Sequence, residues 1–318
     1  MRAICAVMVA LAIGSTLAGA ASPPAAPGSV RAQMELNQQF YYVGEPMNVR
    51  LSILNDGAAE IANPVRGSLF GSFVVTDSQG RALERQAKPD AKEPSRPDKL
   101  AANSFYGAVI DLSQMYPQLR SKGRYSIKWS SDAVSADEIG ITVIPKFDPS
   151  RDYTANVETE LGTFVVDLHK RTAPIAVKAF VDLANAGFYD GLVFYEARAD
   201  QLLSGGDPTG TGRGQAPLRY PAELSAVPVI TGSVVLKSAG LAPPANSSQF
   251  VVSLQPQPTW TGQFTVLGQV VAGLEVVRKL AGVPTSDPPS YRPLKDLHTL
   301  HVTIEEKNVP VRTATGSN

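Results

Sequence analysis

One cysteine and three histidines in 318 residues leave this chain with little of the usual equipment of catalysis. A single thiol excludes a disulfide framework and a thiolate zinc site. So few imidazoles leave few groups that titrate near neutrality. An excess of charge of one sign is missing as well. The 29 Lys+Arg balance 29 Asp+Glu, so the chain carries no electrostatic footprint for nucleic acid or an anionic membrane. What is present is length and apolar content: 318 residues, 43% of them hydrophobic. At roughly 150 residues per domain that predicts two domains, each able to bury a core.

Residues 1–20 read as a secretory signal peptide: Arg2, an apolar run through Val9 to Leu17, then Ala18-Gly19-Ala20 as a small-x-small ending. A membrane anchor is the alternative, but the run is short of a comfortable span. Cleavage would remove Cys5 and deliver the chain across an inner membrane, to a periplasm or beyond, with no membrane association afterwards. Residues 21–32, rich in proline and alanine, predict an extended leader.

Residues 33–145 alternate with period two. Met47-Asn-Val49-Arg-Leu51-Ser-Ile53, Tyr125-Ser-Ile127-Lys-Trp129 and Ile139-Gly-Ile141-Thr-Val143 each place apolar side chains on one face of a strand. Phe73-Val-Val75 runs into a turn at Asp77-Ser-Gln-Gly80. The stretch Lys88–Pro97 is charged and proline-broken, which bars it from a central strand. Short strands with turn signals predict an immunoglobulin-like β-sandwich. Tyr41, Tyr42, Phe105 and Tyr106 suit core and edge packing or a binding face.

Pro145–Ser150 reads as a linker. Beyond it, Tyr153–Val157 and Gly162–Leu168 predict a hairpin. Thr172 is placed to cap a helix opened by Pro174, with Val177, Phe180, Val181 and Ala184 on its buried face and Gly187 ending it. A second helix is expected from Gly273 to Leu280, stopped by Gly282 and Pro284. Two helices on an otherwise β domain predict a closed β-barrel, so the fold class is β-dominated throughout. Residues 307–318 form a polar tail. His298 and His301 stand three apart in a strand, hence on opposite faces, and His169 adjoins Lys170 and Arg171; no metal and no cofactor is expected.

Residues 153–306 carry a resemblance in collinear order: Gly162-Thr-Phe-Val-Val-Asp-Leu168, Ala173-Pro174, Ala186-Gly-Phe-Tyr-Asp-Gly-Leu192, Phe194, Gly205-Gly-Asp-Pro-Thr-Gly-Thr-Gly212, Ser248-Gln-Phe250, Trp260 and Thr265-Val-Leu-Gly268. This segment resembles the cyclophilin family of peptidyl-prolyl isomerases. The Gly-rich run lacks the Gly-Lys-Ser/Thr end of a phosphate loop and reads as a wide turn stiffened by Asp207 and Pro208. The resemblance implies rotation about X–Pro amides of proline-containing or unfolded polypeptide segments, with no nucleophile and no cofactor.

It also implies where the site should lie. The family's arginine falls at Glu196, and a carboxylate only accepts hydrogen bonds. Arg198 faces the same side of the strand. It substitutes if the strand shifts or bulges, and otherwise pairs with Glu196 or Asp200. The family's phenylalanine, methionine and glutamine become Gln201, Leu202 and Ser204; an aromatic wall becomes Val251, and a histidine becomes Phe264. The leucine after the tryptophan is lost or replaced by Thr261, while Gln249 and Trp260 are kept. The expectation is an exported isomerase with weak or lost catalysis, or a non-catalytic module that grips proline segments. Oligomeric state is left open.

Overall fold

A computed structural model describes residues 30–38, 40–86, 93, 95–238 and 245–307. The expected signal peptide, residues 21–29 of the leader, residues 88–92 and 94 of the proline-broken segment and residues 308–318 of the tail lie outside the described residues.

The first part of the chain forms β1 (Val30–Leu36), β2 (Phe40–Tyr42), β3 (Asn48–Asn55), β4 (Ile61–Ala62), β5 (Phe73–Asp77), β6 (Lys99–Leu100), β7 (Ser104–Asp111), β8 (Gly123–Ser130) and β9 (Ser135–Ile144). One sheet runs β1-β3-β7, a second β2-β9-β8-β5, and β4 pairs with β6. The period-two pattern does what a half-buried strand requires. Val49, Leu51 and Ile53 of β3 meet Val75, Ile127, Trp129 and Ile141 of the other sheet in one core. Trp129 satisfies its indole by donating to Leu69 O at 2.8 Å. A short helix α1 (Leu112–Met115), capped by Asp111, interrupts the strands.

The second part forms β10 (Asp152–Thr159), β11 (Gly162–Leu168), α2 (Pro174–Asn185), β12 (Glu196–Arg198), β13 (Leu202–Gly205), β14 (Tyr220–Pro221), β15 (Ser233–Ser238), β16 (Ala245–Ser253), β17 (Val266–Ala272), α3 (Leu274–Ala281) and β18 (Thr299–Lys307). The strands order as β12-β13-β16-β15-β17-β11-β10-β18, with β14 on β16. Phe164, Val166, Val234, Phe250 and Leu267 point inward and meet Val177, Phe180 and Val181 of α2 and Val277 and Leu280 of α3.

Two expectations are corrected here. The sheet is not a closed barrel: it is an open half-barrel that turns through 188° and leaves its edges 13 Å apart. Its first strand, β12, is only three residues long, and its outer edge is used by a loop: Ala197 N donates to Tyr291 O at 2.9 Å. Nor does Thr172 cap α2. The N-cap is Ala173, which has no side chain to offer. Glu223 reaches in from a distant segment, and its carboxylate accepts from Ile175 N (3.0 Å) and Ala176 N (2.8 Å). The C-terminal end follows expectation, with Gly187 at φ +74° after the cap residue Ala186.

The expected linker is packed, Phe147 stacking on Tyr153 with ring centroids 4.9 Å apart. Polar contacts join the two cores. Tyr42 donates to Asp182 Oδ2 at 2.7 Å and accepts from Lys178 Nζ at 2.7 Å. Arg124 pairs with Asp190 at 3.0 Å, while the other oxygen of that carboxylate holds His301 Nδ1 at 2.9 Å. Arg124 occupies the place a Cβ on Gly187 would take. Beside these contacts lies a cleft of about 420 Å³ lined by Lys122, Arg124, Asn185, Asp190, His301 and Thr303.

Candidate functional site: an apolar face on the open sheet

The strand register assembles one row across five strands: Glu196 opposite Ser204, Ser204 opposite Val251, Val251 opposite Val235, and Val235 opposite Val266. Because side chains alternate, this row faces away from the core formed by Leu203, Phe250, Val252 and Val234. Val235, Val251 and Val266 join Val229 in a separate apolar cluster, against which Leu202, Val227, Trp260 and Phe264 pack. Four of the expected site residues therefore meet on one surface: Leu202, Val251, Trp260 and Phe264. Trp260 ends a 3-10 turn, Pro258–Trp260, and its ring lies 5.4 Å from that of Phe264, tilted by 57°.

The polar end of the row is self-contained. Ser204, only 1% exposed, donates to Glu196 Oε2 at 2.9 Å. Arg198 Nη2 stands 2.6 Å from Glu196 Oε1, and its guanidinium lies over the Tyr291 ring at 4.3 Å. Asp200 pairs instead with Arg278 at 3.1 Å. Arg198 Nε is buried and has no hydrogen-bond partner among the described residues. Tyr291 takes a left-handed φ of +48°, costly for a bulky side chain. The guanidinium on its ring and the bond from Ala197 to its carbonyl hold it there.

Gln201 is exposed at the turn between β12 and β13 and stands apart from the apolar cluster. Gln249 shares the face of Val251 but is 4% exposed, with both amide ends in use. It accepts from Tyr195 Oη at 2.8 Å and donates to Gly214 O at 2.5 Å. Burial pushes the Tyr195 hydroxyl well up, so it stays a donor. Gln249 thus braces the Gly-rich loop. Thr261 accepts from Val229 N at 3.3 Å, at the margin of the cluster.

The Gly-rich run is a wide turn as expected. Asp207, fully buried, accepts from Thr209 N at 2.7 Å, Thr209 Oγ1 at 2.9 Å and Thr211 N at 3.0 Å. Burial alone would raise its carboxyl; the bonds from Thr209, Gly214 and Gly212 outweigh that and hold it below the ordinary carboxylate value.

Sequence reasoning missed Val229, Val235 and Val266 as the floor of the face, and Tyr291 as the support of Arg198. The valines had a signal: Val234-Val-Leu236 is apolar without alternation, as a strand covered on both faces must be. Tyr291, in a proline-rich loop far along the chain, had none.

Comparison with known proteins places the second part of the chain in a family. Residues 154–304 match the model for "Cyclophilin type peptidyl-prolyl cis-trans isomerase/CLD". Peptidyl-prolyl cis-trans isomerase CYP18-2 of Arabidopsis thaliana is 33% identical over 151 residues, covering 46% of this chain and 91% of that one. Peptidyl-prolyl cis-trans isomerase-like 1 of Neurospora crassa is 40% identical over 132 residues, covering 41% and 81%. A solved cyclophilin type peptidyl-prolyl cis-trans isomerase of Cryptosporidium parvum has a TM-score of 0.46 at 24% identity, covering 49% of this chain and 99% of that one. Through its C-terminal 150 or so residues, the chain belongs to the cyclophilin-type peptidyl-prolyl cis-trans isomerase family.

Proposed function

We propose that this chain is an exported, periplasmic folding factor of two domains. On this reading it holds proline-containing or unfolded polypeptide segments on the apolar face and isomerises them weakly or not at all. An X–Pro amide turns slowly because its C–N bond has partial double-bond character, with a barrier of about 18–20 kcal/mol. Catalysis has to favour the twisted state, in which the nitrogen is pyramidal and can accept a hydrogen bond. A cradle of Leu202, Val251, Trp260 and Phe264 suits a proline ring. What the site lacks, among the described residues, is an arginine free of a carboxylate.

The observation that carries this reading is the pairing of Arg198 with Glu196 at 2.6 Å. The one arginine facing this side of β12 already has a carboxylate and an aromatic ring, so a substrate has to compete for it. Loss of one preorganised donor lowers a rate on the order of 100- to 1000-fold. Binding without any turnover is the second reading, favoured by the same pair and by the full use of Gln249's amide.

A protease-coupled assay on a prolyl peptide, run beside a binding titration with the same peptide, tests both. Binding with slow or absent turnover is expected. Brisk turnover blocked by cyclosporin overturns the proposal, and so does the absence of any binding.

A further inference from the structure

Sheet edges are templates for pairing with other chains, and proteins blunt them with charge, proline or cover. Most long edges here are treated this way. The strand β1 carries Arg31 and Glu35, and β18 carries His301, Glu305, Glu306 and Lys307. The edge of β5 is covered by residues 81–83, with Leu83 N donating to Val75 O at 2.8 Å. The edge of β12 is used by Tyr291.

By contrast, β7 is bare among the described residues. All eight of its residues pair with β3, and its other edge has no strand partner among the described residues. From Ser104 to Ile110 it holds no charge and no proline. On its outer face Phe105 is 71% and Val109 60% exposed, with Gly107 between them adding no side chain.

We infer that β7 is a dimerisation edge, joining two copies of this chain through antiparallel β7 strands about a two-fold axis at Gly107. The occupant follows from the strand's own pattern. With Gly107 opposite its counterpart, Phe105 stands opposite Val109 of the partner subunit, and Val109 opposite Phe105 of the partner subunit. Each is an aromatic–β-branched pair of the kind that stabilises antiparallel sheets. On the inner face Tyr106 stands opposite Ala108 of the partner subunit, a large residue against a small one. A second copy supplies this complement by symmetry. A formal net charge of +0 leaves no long-range repulsion between copies. The product is one sheet of order β1-β3-β7 continued by its symmetry mate, with both bare edges removed.

The test is the mass of the full chain in solution, by light scattering on a sizing column over a concentration series. Two chains per particle are expected. Val109→Lys and, separately, Phe105→Lys place a cation on the edge at exposed positions and should give one chain per particle, cooperatively folded, with a melting temperature that no longer depends on protein concentration. Val74→Lys, on the covered strand β5, should leave the two-chain mass intact. A one-chain mass for the unaltered protein at every concentration overturns the inference. A two-chain mass that survives both β7 substitutions overturns it too, as does a one-chain protein whose β7 takes up an added extended peptide.

Discussion

Arg198 Nη2 lies 2.6 Å from Glu196 Oε1, two residues away on the same face of a three-residue strand. The pair is short, one-third exposed at the arginine and backed by Tyr291. It turns the guanidinium along the strand toward the position at which the resemblance places the family's arginine, and it cancels the charge on arrival.

On the proposed reading, a guanidinium at position 196 with no carboxylate beside it should raise the rate. In Glu196→Arg/Arg198→Ala, kcat/KM in the protease-coupled assay should rise on the order of 100-fold above the unaltered protein. Arg198→Ala alone should leave the basal rate where it is. A rate unmoved by the double change would place the deficit elsewhere on the face.

Trp260 is the anchor of the apolar face, and the only other tryptophan, Trp129, is buried and hydrogen-bonded in the first core. Any emission change on adding a proline peptide should come from Trp260 and vanish in Trp260→Phe. Trp260→Ala should weaken binding about 30-fold by calorimetry, the loss expected from truncating an anchor worth ~2 kcal/mol.

The join between the two cores can be weakened without touching either. Tyr42→Phe removes the hydroxyl that bridges Asp182 and Lys178, and should cost about 1 kcal/mol, read as a lower melting temperature. Isomerase activity, however small, should be unchanged.

Gly187→Ala should be more damaging. Its φ of +74° costs a Cβ on the order of 1–2 kcal/mol, and the new methyl displaces the tip of the Arg124 side chain from its place beside Asp190. Adding Arg124→Ala leaves nothing to displace, so the double variant should melt above the sum of the two single losses. Additive losses would mean that Arg124 does not rest on this turn.

Asp207 fixes the sign of an acid effect. Its folded carboxyl lies below the ordinary value of 3.8, so its contribution to stability is present at neutral pH. That contribution fades as pH falls from the ordinary carboxylate range through the lower folded value. Asp207→Asn should lower stability near neutrality by about 1–3 kcal/mol and flatten the acid limb of the melting curve.

The strands were legible wherever one face was dry and the other wet, as in Val49-Arg-Leu51-Ser-Ile53. The helix α2 was legible from its apolar spacing and its terminal glycine. Its cap was not, because the group that satisfies Ile175 and Ala176 is a carboxylate 47 residues or more along the chain. The same limit applies to the site. Glu196 and Ser204 could be named through the family resemblance, but their hydrogen bond depends on register, and the Tyr291 ring beneath Arg198 depends on a loop path. Sheet closure was illegible for a like reason: whether β12 meets a strand or a loop is decided by what reaches its edge first.

The five-strand row has a consequence for how this molecule changes over time. On β13, β15 and β16 every residue that builds the interior is followed by one that builds the outer surface, so neighbouring codons answer to separate demands. Substitutions at Glu196, Ser204 or Val251 can rewrite the chemistry while Leu203, Phe250 and Val252 keep the scaffold standing. The two faces of one strand can therefore diverge at different rates, the inner one held by the core and the outer one by whatever it meets.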